Sequence, residues 1–121
     1  MNASRSFEPS ATGGPTRDGK LVRDRIPTII EASGRVPKVR RLEPSELVSA
    51  LIMKLEEEAQ EFLAANHNEQ AEELADILEV VRALADQCGL DMSDLERIAD
   101  TKRAERGGFK LGLWLVNIDS E

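Results

Sequence analysis

The chain has 121 residues and a mass of 13.4 kDa, which fits one domain built around a single core. Apolar residues make up 40% but aromatics only 3%, with no tyrosine, so the core is expected from Leu, Ile, Val, Ala and Met, as in helix bundles. A net charge of −7 speaks against binding nucleic acid polymers, which need a basic surface to neutralise phosphates. No apolar run nears the ~18 residues of a membrane span, and the start of the chain lacks the apolar stretch of a secretory signal. With one cysteine and one histidine, neither an internal disulfide nor a thiolate–imidazole zinc cluster is available. A reduced, cytoplasmic setting with no membrane partner is expected.

Residues 1–19, rich in Ser, Thr, Gly and Pro with no apolar periodicity, read as a flexible leader, and residues 20–118 as the domain. Pro27 is suited to open a short helix, Thr28 to Ser33, ended by Gly34. Val36 to Leu42 forms an extended or irregular connector. Pro44 starts a long helix reaching about Ala65, Asn66–Asn68 makes a turn, and a second long helix runs from about Glu69 to Cys88, where Gly89 stops it. Ser93 with Glu96 spells an S-x-x-E capping box opening a third main helix that ends at Gly107-Gly108. The tail Phe109–Ile118 is β-branched and apolar enough to be extended. The fold class is all-α. Two long helices and one medium one are few for burying both faces of a bundle, so completion by a second subunit is expected.

Charge is partitioned along the chain. Residues 20–41 carry a balance of +5, residues 42–100 a balance of −13, and Lys102, Arg103, Arg106 and Lys110 follow with only Glu105 opposing. An acidic centre between two basic segments suits a site where cations and an anionic ligand meet, although charged helix faces are also simply solvated.

On a helical wheel Leu47, Val48, Leu51, Ile52, Leu55, Ala59, Phe62 and Leu63 cover an apolar sector of about 160°. Glu58 falls inside it, Glu61 just past its edge, and Glu57 further out beside Lys54. On the second long helix Leu74, Ile77, Leu78, Val81, Leu84 and Ala85 mark the buried stripe. Glu73 and Asp76 lie at its margin, near Val80. Each helix therefore carries a carboxylate pair at spacing i, i+3 along its core-facing side. Converging acids repel one another in a partly dehydrated site, and Lys54 and Arg82 are the only basic residues inside the two helices. An all-oxygen ligand set favours Mg²⁺, or Mn²⁺, over zinc. A di-iron bundle is set aside, because it needs Glu-x-x-His and this chain offers Glu-x-x-Asp. The plain alternative is a solvated run of glutamates with i, i+4 partners.

The run Glu57-Glu58-Ala59-Gln60-Glu61, followed by Glu73-Leu74-Ala75-Asp76, resembles the E-E-x-x-E and E-x-x-D motif of the all-α nucleotide pyrophosphohydrolases, a superfamily that includes the MazG-like enzymes and phosphoribosyl-ATP pyrophosphohydrolase. Lys20-Leu21-Val22-Arg23-Asp24-Arg25-Ile26-Pro27 is similar to the K-L-V-R-D-K-I-P opening of one subgroup. Lys102 with Arg106-Gly107-Gly108-Phe109 is similar to its K-x-x-x-R-G-G-F ending. The resemblance implies Mg²⁺-dependent cleavage of a nucleoside triphosphate or related nucleotide between the α- and β-phosphates, in a homodimer or higher homo-oligomer. It implies Glu58, Glu61, Glu73 and Asp76 as metal ligands, with Glu57 a supporting partner or water-orienting base, so that Glu57 and Glu58 are the candidate catalytic pair. Lys102 and Arg106 match positions facing substrate phosphates, and Lys54 and Arg23 join them as candidate substrate contacts. Arg23 is equally suited to an ion pair that anchors a helix. Asp100 replaces an Asn found in some relatives, which leaves base or sugar recognition open.

His67 reads as a turn residue, Cys88 as inert core on the apolar face, and Trp114 as a stacking surface for a nucleobase or a packing group against the bundle or a partner. Two rivals stand beside the house-cleaning triphosphatase reading. One is a phosphoribosyl-ATP pyrophosphohydrolase of histidine biosynthesis. The other is a non-catalytic helical regulator, which would be expected to have lost some of the four ligand acids.

Overall fold

The computed structural model describes residues 19–120; the expected leader, but for Gly19, lies outside them. Among these residues four α-helices follow one another: α1 (Ile26–Ala32), α2 (Pro44–Ala64), α3 (Gln70–Gln87) and α4 (Met92–Arg106). The described residues contain no strand, so the fold is all-α, as composition and periodicity imply. None of the helices is long and apolar enough to cross a membrane.

Local chemistry accounts for the boundaries. Pro27 and Pro44 sit in the first turns of α1 and α2, where a missing N–H costs nothing. α3 ends in a Schellman arrangement, with Leu90 N–H on the Ala85 carbonyl at 2.9 Å and Gly89 N–H on Asp86 at 3.0 Å. That closure needs a positive φ, and Gly89 supplies it at 79°. A single 3₁₀ turn, His67–Glu69, capped by the Asn66 side chain, leads into α3, and His67 belongs to this turn as expected. The expected Ser93/Glu96 capping box is corrected: Asp91 is the N-cap and Asp94 its reciprocal partner, while Ser93 Oγ donates to Asp91 Oδ1 at 2.8 Å. Asp91 is extended and the helix begins directly after it at Met92, two residues too early for Ser93 to serve as the cap.

The connector ahead of α2 is tied down rather than free. Arg40 donates from both terminal nitrogens to Glu46, at 3.2 and 3.1 Å, and Glu46 also accepts the Glu43 N–H at 2.9 Å. Arg40 first, and then the backbone donor, hold the Glu46 carboxyl below the usual glutamate range. Its contribution is therefore complete above the ordinary glutamate pKa and is lost as pH falls through the lowered value. Thermal melts from about pH 6 to about pH 3 should show wild type losing stability more steeply than Arg40→Gln. Parallel curves would mean that the pair is not linked to folding.

α2 and α3 pack along each other as a helical hairpin, whereas α4 touches α3 only lightly and has no buried residue. The buried apolar residues are Ala50, Leu51, Val80 and Ala85. Val80, read from sequence as the margin of the α3 stripe, is thus in its buried part. Of the expected stripes, Leu47, Leu55 and Phe62 on α2 and Ile77, Val81 and Leu84 on α3 are half-buried, whereas Val48, Ile52 and Leu63 on α2 and Leu74 and Leu78 on α3 are exposed. The contact between the two helices therefore includes the carboxylate-bearing margin of the stripes and leaves part of their apolar side open. Cys88 is a further correction, since it is exposed rather than core. It caps the C-terminus of α3, where the chain folds over nothing that would cover it.

Candidate metal and phosphate site

Packing α2 against α3 around Leu51 and Val80 brings acids from both helices together. Glu58, Glu73 and Asp76 each offer a carboxylate oxygen within 4.8 Å of the others, and all three are half-buried. Their spacing follows from the helical hairpin: Glu73 and Asp76 share a face of α3 at i, i+3, and the turn at residues 65–69 sets Glu58 opposite them. The electrostatic consequence falls on Glu73, whose pKa is raised, first by burial and then by repulsion from Glu61, Asp76 and Glu58. A trio of carboxylate oxygens of which Glu73 carries repulsion from its acidic neighbours suits a hard divalent cation, so the residues fit the group that the motif implies.

Two cations border the trio. Arg23 donates to Asp76 Oδ1 at 2.7 Å across 53 positions of sequence. Lys54 bridges one turn of α2, 3.4 Å from Glu57 and 3.6 Å from Glu58. Of the two adjacent acids, Glu58 is the shielded one, its side chain 13% exposed against 60% for Glu57. Glu57 therefore sits on the solvent side of Lys54, outside the trio. Glu61 also lies outside it, exposed, yet near enough to act on Glu73.

Beside the trio runs a cleft of about 540 Å³, lined by Glu58, Asp76, Lys54 and the segment Lys20–Asp24 among others, a size ordinary for small-molecule sites. Leu21, Val22, Leu47, Leu51 and Val80 give it an apolar lining, and Lys20, Arg23 and Lys54 give it positive charge. Sequence reading missed Lys20, Glu79 and Asp86 as lining residues. For Lys20 a signal existed, its place at the head of the K-L-V-R-D motif; Glu79 and Asp86 lie on the Asp76 side of α3, visible only once the packed face is known. Lys102 and Arg106 are elsewhere: they line a separate shallow depression on α4 with Arg97, Ile98, Thr101 and Glu105. Within one chain the structure does not bring them to the acids.

The site is thus an i, i+3 acid pair on one helix of an all-α hairpin, meeting a third acid across the helix interface beside a cation-bordered cleft. Residues 32–103 match the family model of phosphoribosyl-ATP pyrophosphohydrolase, and the chain belongs to that family. An uncharacterized protein of Mycolicibacterium smegmatis is 50% identical over 52 residues, which cover 43% of this chain and 53% of that protein. The chain thus spans about half the length of the curated relative it matches. No solved structure matches it.

Proposed function

We propose that the protein is a Mg²⁺-dependent nucleotide pyrophosphohydrolase that cleaves a nucleoside triphosphate or related nucleotide between the α- and β-phosphates, releasing a monophosphate and pyrophosphate. The observation that carries this reading is the Glu58–Glu73–Asp76 trio beside a cleft bordered by Arg23 and Lys54, in a chain of this family. Glu58, Glu73 and Asp76 would hold the ion, with Glu61 as the proposed fourth ligand. Mg²⁺, or Mn²⁺, when bound, neutralises phosphate oxygens and acidifies water.

The chain's own residues do the rest. Lys54, held by Glu57 and Glu58, and Arg23, held by Asp76, present positive charge to the phosphates. A carboxylate oxygen in the acidic cluster takes the proton of the attacking water as the new P–O bond forms. The bridging P–O bond breaks, and the charge gathering on pyrophosphate is what Lys and Arg donors stabilise. Glu57 acts through Lys54 in this reading, as the supporting partner that the motif implies. No Ser, Cys or His nucleophile is required.

The partner of this reading is a second copy of the chain, as a homodimer. It would cover the open sides of α2 and α3, and would bring the Lys102 and Arg106 end of α4 to the acidic cleft of its neighbour. A cytoplasmic location, where such nucleotides are present, belongs to the same proposal. Retention of all four ligand acids weighs against a non-catalytic regulator. The family name favours including phosphoribosyl-ATP among the substrates tried.

The test is a panel of nucleoside triphosphates plus phosphoribosyl-ATP with Mg²⁺, scored separately for pyrophosphate and orthophosphate. Equimolar monophosphate and pyrophosphate, abolished by a chelator, is expected. Orthophosphate as the first product would place cleavage at the terminal phosphate and overturn the reading, as would inertness toward the whole panel.

A further inference from the structure

The segment after α4 is the largest feature that the proposed activity leaves unused. Gly107, at φ 81°, ends the helix, and Gly112, at φ 61°, bends the chain again; beyond it, residues 113–120 form no helix, turn or strand. Phe109, Leu111, Leu113, Trp114, Leu115, Val116 and Ile118 are each between 73% and 98% exposed. Phe109 and Leu111 sit in the turn closed by Gly112 N–H on the Phe109 carbonyl at 3.0 Å; in an extended arm beyond it Leu113 and Leu115 would face one way and Trp114, Val116 and Ile118 the other. A stretch apolar on both sides is one built to be covered on both sides. Its side chains offer on the order of 800 Å² of apolar surface, about what one partner contributes to a standard-size interface.

We propose that residues 109–118 form an arm that docks on the open apolar helix face of a second copy of this chain. The acceptor is present in the same sequence: Val48, Ile52, Leu63, Leu74 and Leu78 are exposed on α2 and α3. Arm and acceptor are each uncovered, and a two-fold exchange between two copies covers both at once and closes the assembly. The arm leaves α4 through Arg103, Arg106 and Lys110, and the helices that bear the acceptor face belong to residues 42–100, whose balance is −13; this charge favours the approach of the two copies, while the docking itself is apolar. α4 carries the arm's root and touches its own α3 only lightly, so the arm starts from an element that its own hairpin scarcely holds. The inference rests on the dimer proposed above and is independent of the chemistry.

Trp114 is the only tryptophan and reports the arm directly. Light scattering and tryptophan emission are measured on the full chain across a dilution series. Where the dimer dominates, the emission of a buried indole is expected, moving to that of a water-exposed indole with the same midpoint as dissociation. In the full chain Leu113→Asp with Leu115→Asp should raise the dimer dissociation constant by roughly 10²-fold and leave helical circular dichroism unchanged. A dimer whose Trp114 stays water-exposed overturns the arm while leaving the dimer standing. Buried emission independent of concentration places the arm on its own body and also overturns it. A monomer at every concentration removes the dimer reading and the arm together.

Discussion

Glu58→Gln or Glu73→Gln should lower kcat/KM by roughly 10³-fold or more, since each removes a charge from a site asked to supply several kcal/mol of charge stabilisation. Either change keeps the side-chain volume, so the helices should persist by circular dichroism. Mn²⁺ binding, followed by calorimetry on the unreacted protein, should fall with the activity. The metal-free Glu73→Gln protein should melt no lower than wild type. Glu73 is the carboxyl whose pKa is raised by burial and by Glu61, Asp76 and Glu58, so neutralising it removes repulsion rather than a favourable pair. Near-normal Mg²⁺-dependent turnover in either variant would remove the trio from the mechanism. A collapse of helicity would instead show that these acids hold the hairpin together.

Arg106→Ala should cost roughly 10²-fold in kcat/KM, with Arg106→Lys restoring only part, because lysine keeps the charge but loses the planar fork that binds two phosphate oxygens. The competing role is a charge that complements the C-terminus of α4, and it predicts only a stability loss of ~0.3–1 kcal/mol with normal kinetics. Geometry sharpens the test. Arg106 lines a depression separate from the acidic cleft of its own chain, so its proposed action crosses between subunits. Unfolding and refolding a mixture of Glu58→Gln and Arg106→Ala then forms heterodimers in which one site has both intact residues. Random pairing restores about a quarter of wild-type activity. Two inactive parents giving an inactive mixture, while Arg106→Ala alone is impaired, would place Arg106 in the site of its own chain.

The helices, their punctuation and the i, i+3 acids were legible in the sequence because they rest on short-range chemistry. Pro44 opens α2, Gly89 closes α3, and Glu73 and Asp76 share a face whatever lies opposite. Local rules compete when two motifs overlap: both Asp91/Asp94 and Ser93/Glu96 spell a capping box, and the start of α4 at Met92 selects the first. Similarly, a wheel shows which residues are apolar but not which of them find cover. It placed Cys88 in a core that the chain does not build there, and it left Val80 at the margin of a stripe that the structure buries.

What the amino-acid sequence determined by itself was an all-α chain with acids on the inner sides of two helices and basic segments flanking them. Which acids meet was decided only by tertiary packing. The turn at residues 65–69 and the contact around Leu51 and Val80 set the register that joins Glu58 to Glu73 and Asp76 and leaves Glu57 and Glu61 outside. The Arg23–Asp76 pair spans 53 positions, and no local preference links residues so far apart. The placement of Arg106 and the acids in separate depressions is likewise a tertiary outcome that no local signal encodes. Helical periodicity is a property of neighbours in the chain, whereas the composition of a site depends on the rotation and offset of one helix against another. A change of one residue in that register would present a different set of carboxylates from the same two helices.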